Sequence, residues 1–65
     1  MDVKDPRYQL VVSAVSDFFK CDEERAGSMI ETAVEDRVNS ESHGSEQARK
    51  EIVGGIEQQG PAYIK

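Results

Sequence analysis

Between residues 8 and 19 the apolar side chains recur at helical spacing, and this recurrence constrains the fold more than any other feature of the chain. Tyr8, Val11, Val12, Val15, Phe18 and Phe19 fall at i, i+3, i+4, i+7, i+10 and i+11, one stripe along an α-helix. Leu10 and Ala14 widen the stripe, while Gln9, Ser13, Ser16 and Asp17 form the polar face. Clustered valines favour a strand on propensity alone, but strict alternation is absent. The start is also marked. Asp5 is a good N-cap, and Pro6 suits the first helical position, where its missing N–H would be unpaired in any case. A helix over about 5–20 is expected.

A second helix, at about 22–39, follows from Asp22 as cap and from Glu23 and Glu24 in the first turn, where the helix dipole favours negative charge. Its apolar stripe is Ala26, Met29, Ile30, Ala33, Val34 and Val38. Gly27, unfavourable inside a helix by about 1 kcal/mol relative to Ala, suggests a close approach to helix one. Residues 39–44, Asn-Ser-Glu-Ser-His-Gly, read as a loop because such residues favour turns over helix interiors. Ala48, Ile52, Val53 and Ile56 then share one face of a third helix, at about 45–58. Gly54-Gly55 either ends that helix or is tolerated because Gly55 admits a neighbour. Gly60-Pro61 is a stop, and an extended C-terminal tail follows, with Tyr63 and Ile64 expected to fold back over the helices. The fold class expected is all-α: a single small three-helix domain over residues 1–65.

At this length the chain buries only about 60% of its unfolded surface, so its core alone leaves it marginal, and domains of this size commonly add disulfides, a metal or a partner chain. Cys21 is the only cysteine and cannot form an internal disulfide, which suits a reducing compartment. Cys21 and His43 supply two zinc-type ligands where a structural site wants about four. No EF-hand pattern or phosphate-cradling glycine loop occurs, and neither a metal nor a cofactor is expected. Self-association or a partner protein remains as the source of added stability, and a homodimer is expected.

Charge narrows the partners. With 13 acidic and 8 basic side chains the formal net charge is −5, which repels phosphate backbones and anionic membranes. Direct nucleic-acid binding and membrane docking are disfavoured, and no apolar run reaches the length of a membrane span. The opening Met-Asp-Val-Lys-Asp-Pro lacks the apolar core of a signal peptide. A cytoplasmic protein is expected.

Two candidate surfaces emerge. Glu24, Ser28, Glu31 and Glu35 are spaced i, i+4, i+7 and i+11, an acidic ridge on helix two that suits a partner with a basic surface. Charge runs are also ordinary on solvated helix faces, and Arg25 and Arg37 partly compensate this one. The stripe Tyr8, Val11, Val15, Phe18 and Phe19 exceeds what one small neighbour covers, so it serves as core, dimer seam or both. A Cys21–His43 nucleophile pair is opposed by the acidic neighbours of the thiol and by the polar loop around His43. No catalytic residues are assigned, and the chain is not expected to be an enzyme.

The function expected is a regulatory protein–protein interaction module: an adaptor, assembly factor or inhibitor acting through surface contacts. The alternative is a nucleic-acid mimic occupying a basic DNA- or RNA-binding surface, a reading diluted by the basic side chains. A helix-turn-helix DNA reader has the right size but only Arg49 and Lys50 on helix three to meet phosphates.

Overall fold

The first helix, α1, runs Pro6–Phe19 because both of its ends are chemically marked. Asp5 keeps an extended backbone and its Oδ1 accepts the Arg7 N–H at 2.8 Å, satisfying one of the donors that helix geometry leaves orphaned. At the far end Lys20 turns left-handed at φ 55°, and the N–H groups of Lys20 and Cys21 both return to the Ser16 carbonyl. Asp22 then caps α2, Glu23–Glu41, its Oδ1 accepting the Arg25 N–H at 2.7 Å. The third helix, α3, spans Ser45–Gln59 and passes through Gly54-Gly55 without a break. The structure, a computed structural model, describes residues 1–41 and 44–64. Each helix lies within two residues of its expected bounds at either end.

The tail differs from expectation. Rather than extending, Pro61–Ile64 closes into a 3-10 turn, with the Tyr63 N–H donating to the Gly60 carbonyl at 3.0 Å. The reversal is made by Gly60, whose φ of 89° favours a residue without Cβ and whose N–H bonds the Ile56 carbonyl at 2.7 Å. Tyr63 and Ile64 pack onto the core. The ring of Tyr63 lies over Gly55, where a methyl group would collide with three of its carbons. Gly55 is the close approach that the glycine pair suggested. Gly27 is not: a methyl group there would meet nothing within 4 Å.

The core is built from one face of each helix. Tyr8, Val11, Val12 and Val15 of α1 meet Ala26, Ile30 and Val34 of α2 and Ala48, Ile52, Val53 and Ile56 of α3. Val15, Ile30 and Val53 are its largest fully enclosed side chains. Nearly all the apolar periodicity is spent here, and burial of this kind, at about 25 cal/mol per Å², is the dominant favourable term in folding. α2 packs extensively against both of the other helices, while α1 and α3 touch less.

Candidate interaction surfaces

The acidic ridge of α2 is divided by the fold. Glu24 and Glu35 are exposed, and neither is ion-paired among the described residues. Glu31 is engaged by the other two helices instead, although its side chain stays 38% exposed. Its Oε2 accepts the Tyr8 hydroxyl at 2.7 Å and Arg49 Nε at 3.0 Å, while its Oε1 accepts Arg49 Nη2 at 2.7 Å. The same guanidinium donates through Nη1 to the Met1 carbonyl at 2.8 Å, and the Met1 ammonium reaches the Glu46 carbonyl at 3.2 Å. One carboxylate therefore ties all three helices and the N-terminal segment together. Arg49 holds the Glu31 carboxyl below its ordinary range, and burial, reinforced by Glu31, pushes the Tyr8 phenol well above its own. Because Tyr8 is itself in the core, its hydroxyl needs such a partner. Arg49 was assigned no such role from the sequence: its pairing with Glu31 crosses 18 positions, and no local spacing encodes it.

A second inter-helix clamp joins α1 to α3. Arg7 donates to the Glu57 carboxylate through both Nε and Nη2, which raises the Arg7 pKa and lowers that of Glu57. Both side chains remain solvent-accessible, so this clamp stabilises less than its geometry suggests.

The stripe of α1 separates into two populations. Tyr8, Val11 and Val15 are core and are closed to any partner, while Phe19 is half-buried against the core edge. Phe18 does not join them. It is 52% exposed, touching Phe19 edge-to-face with ring centroids 4.8 Å apart. Leu10 is 71% exposed, and Ala14 between them is exposed as well. Leu10 and Ala14 thus do not widen the core face; with Phe18 they form a separate strip at i, i+4 and i+8 on the flank of α1. This strip is the least expected surface of the molecule.

A shallow groove of about 500 Å³ lies between the C-terminal half of α2, α3 and the 3-10 turn. Arg37 crosses it, donating to the Tyr63 hydroxyl at 2.8 Å and reaching Glu51 at 3.4 Å and Glu41 at 3.5 Å. Its lining alternates apolar Ala33, Ile52 and Ile64 with charged Asp36 and Arg37. Ser40 and Glu41 complete its polar lining.

Among the described residues no group of three or more His, Cys, Asp or Glu side chains is placed to hold a metal ion. Every buried side-chain polar atom there has a hydrogen-bond partner, so no orphaned group points to a missing ligand. Cys21 is partly buried beside the core, and His43, its candidate partner, lies outside the described residues. No described helix is long and apolar enough to cross a membrane. No protein-family model matches the chain, and comparison with curated proteins and with solved structures finds no match.

Proposed function

We propose that this chain is a small acidic protein–protein interaction module, an adaptor, assembly factor or inhibitor that works through surface contacts rather than catalysis. The observation that carries this reading is the Leu10–Ala14–Phe18 strip. The core is complete without it, and leaving a phenylalanine and a leucine in water forfeits the burial free energy each would contribute. Glu24 and Glu35, both exposed, give α2 negative charge suited to a basic surface on a partner. A cytoplasmic location and a homodimeric state belong to the same proposal.

The nucleic-acid mimic ranks lower. Mimicry wants carboxylates in phosphate-like rows, and Glu31, Glu51 and Glu57 are engaged by arginines of the same chain.

Affinity capture from cell extract tests the reading, with wild-type chain compared against Leu10→Ser and Phe18→Ser. The module reading expects at least one protein retained by wild type and lost from a folded strip variant, or self-association lost in the same way. Identical capture by all three chains, together with no self-association, would remove the strip as a working surface and the reading with it.

A further inference from the structure

The turn Pro61–Ile64 is lightly held. None of its residues is fully buried, and every enclosed apolar side chain of the core belongs to a helix. Among the described residues one side-chain hydrogen bond reaches it, from Arg37 Nη2 to the Tyr63 hydroxyl at 2.8 Å. The Tyr63 ring over Gly55 and the Ile64 side chain supply the apolar contact. The turn is also built to move as one piece. The Tyr63 N–H closes it on the Gly60 carbonyl, and Pro61 has a fixed φ. Gly60 is its hinge, at φ 89° and ψ 173°, a region of backbone space open essentially to glycine alone.

What the turn covers stands without it. Glu51 and Glu41 hold Arg37 at 3.4 and 3.5 Å, so the guanidinium keeps its place when the phenol leaves. Gly55 lies inside α3, which runs on unbroken to Gln59, and Ala33 and Ile52 are apolar lining supplied by the helices. Nor does the turn fill the site. The groove of about 500 Å³ stays open beside Tyr63 and Ile64, which form part of its wall. A longer segment entering there would bury surface that four residues leave in water.

The resident shows what chemistry fits. At Gly55 the surface lacks a Cβ and receives the flat face of a ring, where a methyl group would collide. Arg37 Nη2 donates to an oxygen at the far end of that ring, so a phenol is matched and a phenyl leaves the donor unused. The groove takes an aliphatic side chain next to it, as it takes Ile64. A phosphorylated ring is excluded by charge, because Asp36, Glu41 and Glu51 outnumber the one guanidinium. Extending the interaction reading to this second surface, we propose that the Arg37–Gly55 face is a receptor site for a partner's peptide segment bearing an unmodified tyrosine followed by an aliphatic residue. The C-terminal turn is its displaceable resident, an autoinhibitory contact hinged at Gly60.

A ring, one aliphatic side chain and one hydrogen bond make a small ligand, so a four-residue probe binds with a Kd on the order of millimolar. With the resident closed over the site about nine-tenths of the time, wild type binds that probe about tenfold more weakly than a chain whose turn has no ring. The test is an amide chemical-shift titration of the labelled full chain with the capped peptide Pro-Ala-Tyr-Ile, up to about 20 mM. Tyr63→Ala should keep its helical circular dichroism and show saturating shifts at Arg37, Ile52 and Gly55, with wild type about tenfold weaker. The probe with phenylalanine for tyrosine should bind several-fold more weakly, and the phosphotyrosine probe more weakly still. Adding Gly55→Ala to Tyr63→Ala should abolish binding, because the new methyl group occupies the place of the ring. Should Tyr63→Ala lose its helices, Tyr63→Phe takes its place, keeping the ring and giving up only the Arg37 bond, with a smaller gain over wild type. No shifts in the open variant, equal affinity for wild type and variant, or binding that survives Gly55→Ala would each overturn the proposal. Tighter binding of the phosphotyrosine probe would overturn it as well. None of these chains alters Leu10 or Phe18, so failure here leaves the strip reading standing, and loss of the strip reading leaves this titration unchanged.

Discussion

Adjacent glycines in α3 should respond to the same substitution with opposite sign. At Gly54 a methyl group meets nothing within 4 Å, so Gly54→Ala gains only the helix preference of alanine and stabilises by about 1 kcal/mol. At Gly55 the same methyl group collides with the Tyr63 ring, which must retreat by about 1 Å to restore ordinary contact. The ring sits on a short C-terminal turn and can move away, so the cost is capped by what its docking contributes. Half-burying a tyrosine removes roughly 100 Å² from water, or about 2.5 kcal/mol as an upper figure. The hydroxyl bond to Arg37 is lost as well, and it adds less because both partners remain reachable by solvent. Against the 1 kcal/mol propensity gain, Gly55→Ala should destabilise by about 1–2 kcal/mol. The sign should invert in a Tyr63→Ala background, where nothing remains to collide. Urea unfolding followed by circular dichroism measures all four variants. Equal stabilisation by Gly54→Ala and Gly55→Ala in the wild-type background would refute the reasoning, because it would mean the turn does not dock on Gly55.

Three further outcomes follow from other parts of the molecule. Glu31 is held below its ordinary pKa of 4.5, so its contribution is fully present above that value and is lost as pH falls through the lower folded value. Stability of wild type and Glu31→Gln should therefore converge on acidification from neutral pH, whereas a constant gap would deny the Arg49 pairing. Ile30→Ala empties a fully enclosed site and should cost about 2–5 kcal/mol, while Leu10→Ala should stay within about 0.5 kcal/mol; comparable losses in thermal unfolding would contradict the division of α1 into core and strip. Lys20 occupies the left-handed C-cap of α1 at φ 55°, so Lys20→Gly should stabilise by about 0.5–1 kcal/mol in the same assay, and a loss would mean that the lysine side chain makes a contact that matters.

What was legible in the sequence was local. Asp5-Pro6 and Asp22 mark helix starts because capping is a contact between residues two or three apart, and each does cap as its residue type dictates. The heart of the α1 stripe, from Tyr8 to Val15, is buried because those positions share one side of the helix. Leu10 and Phe18 were harder to place. A spacing rule groups residues within about a quarter turn of a line, and on a helix this apolar it cannot tell the core face from its flank. Only the positions of α2 and α3 decide which valines are covered and which phenylalanine is not. The engagement of Glu31 by the other helices was hidden for a related reason. It shares a face with Glu24 and Glu35 on α2, yet its carboxylate is within reach of an arginine and a tyrosine that sequence distance conceals. The C-terminal turn was half legible: two apolar residues after Gly60-Pro61 favour return to the core, but the 3-10 geometry depends on where Gly55 waits to receive the ring.

The central claim is that the exposed strip of α1 is a working interface. Amide chemical shifts recorded on labelled protein through dilution from about 1 mM to about 10 µM test it most directly. The account predicts concentration-dependent shifts confined to the exposed side of α1, centred on Leu10, Ala14 and Phe18, with Glu24, Glu35 and the buried core unmoved. Shifts concentrated on α2 or α3, or none at any concentration and none on α1 when a captured partner is added, would contradict it.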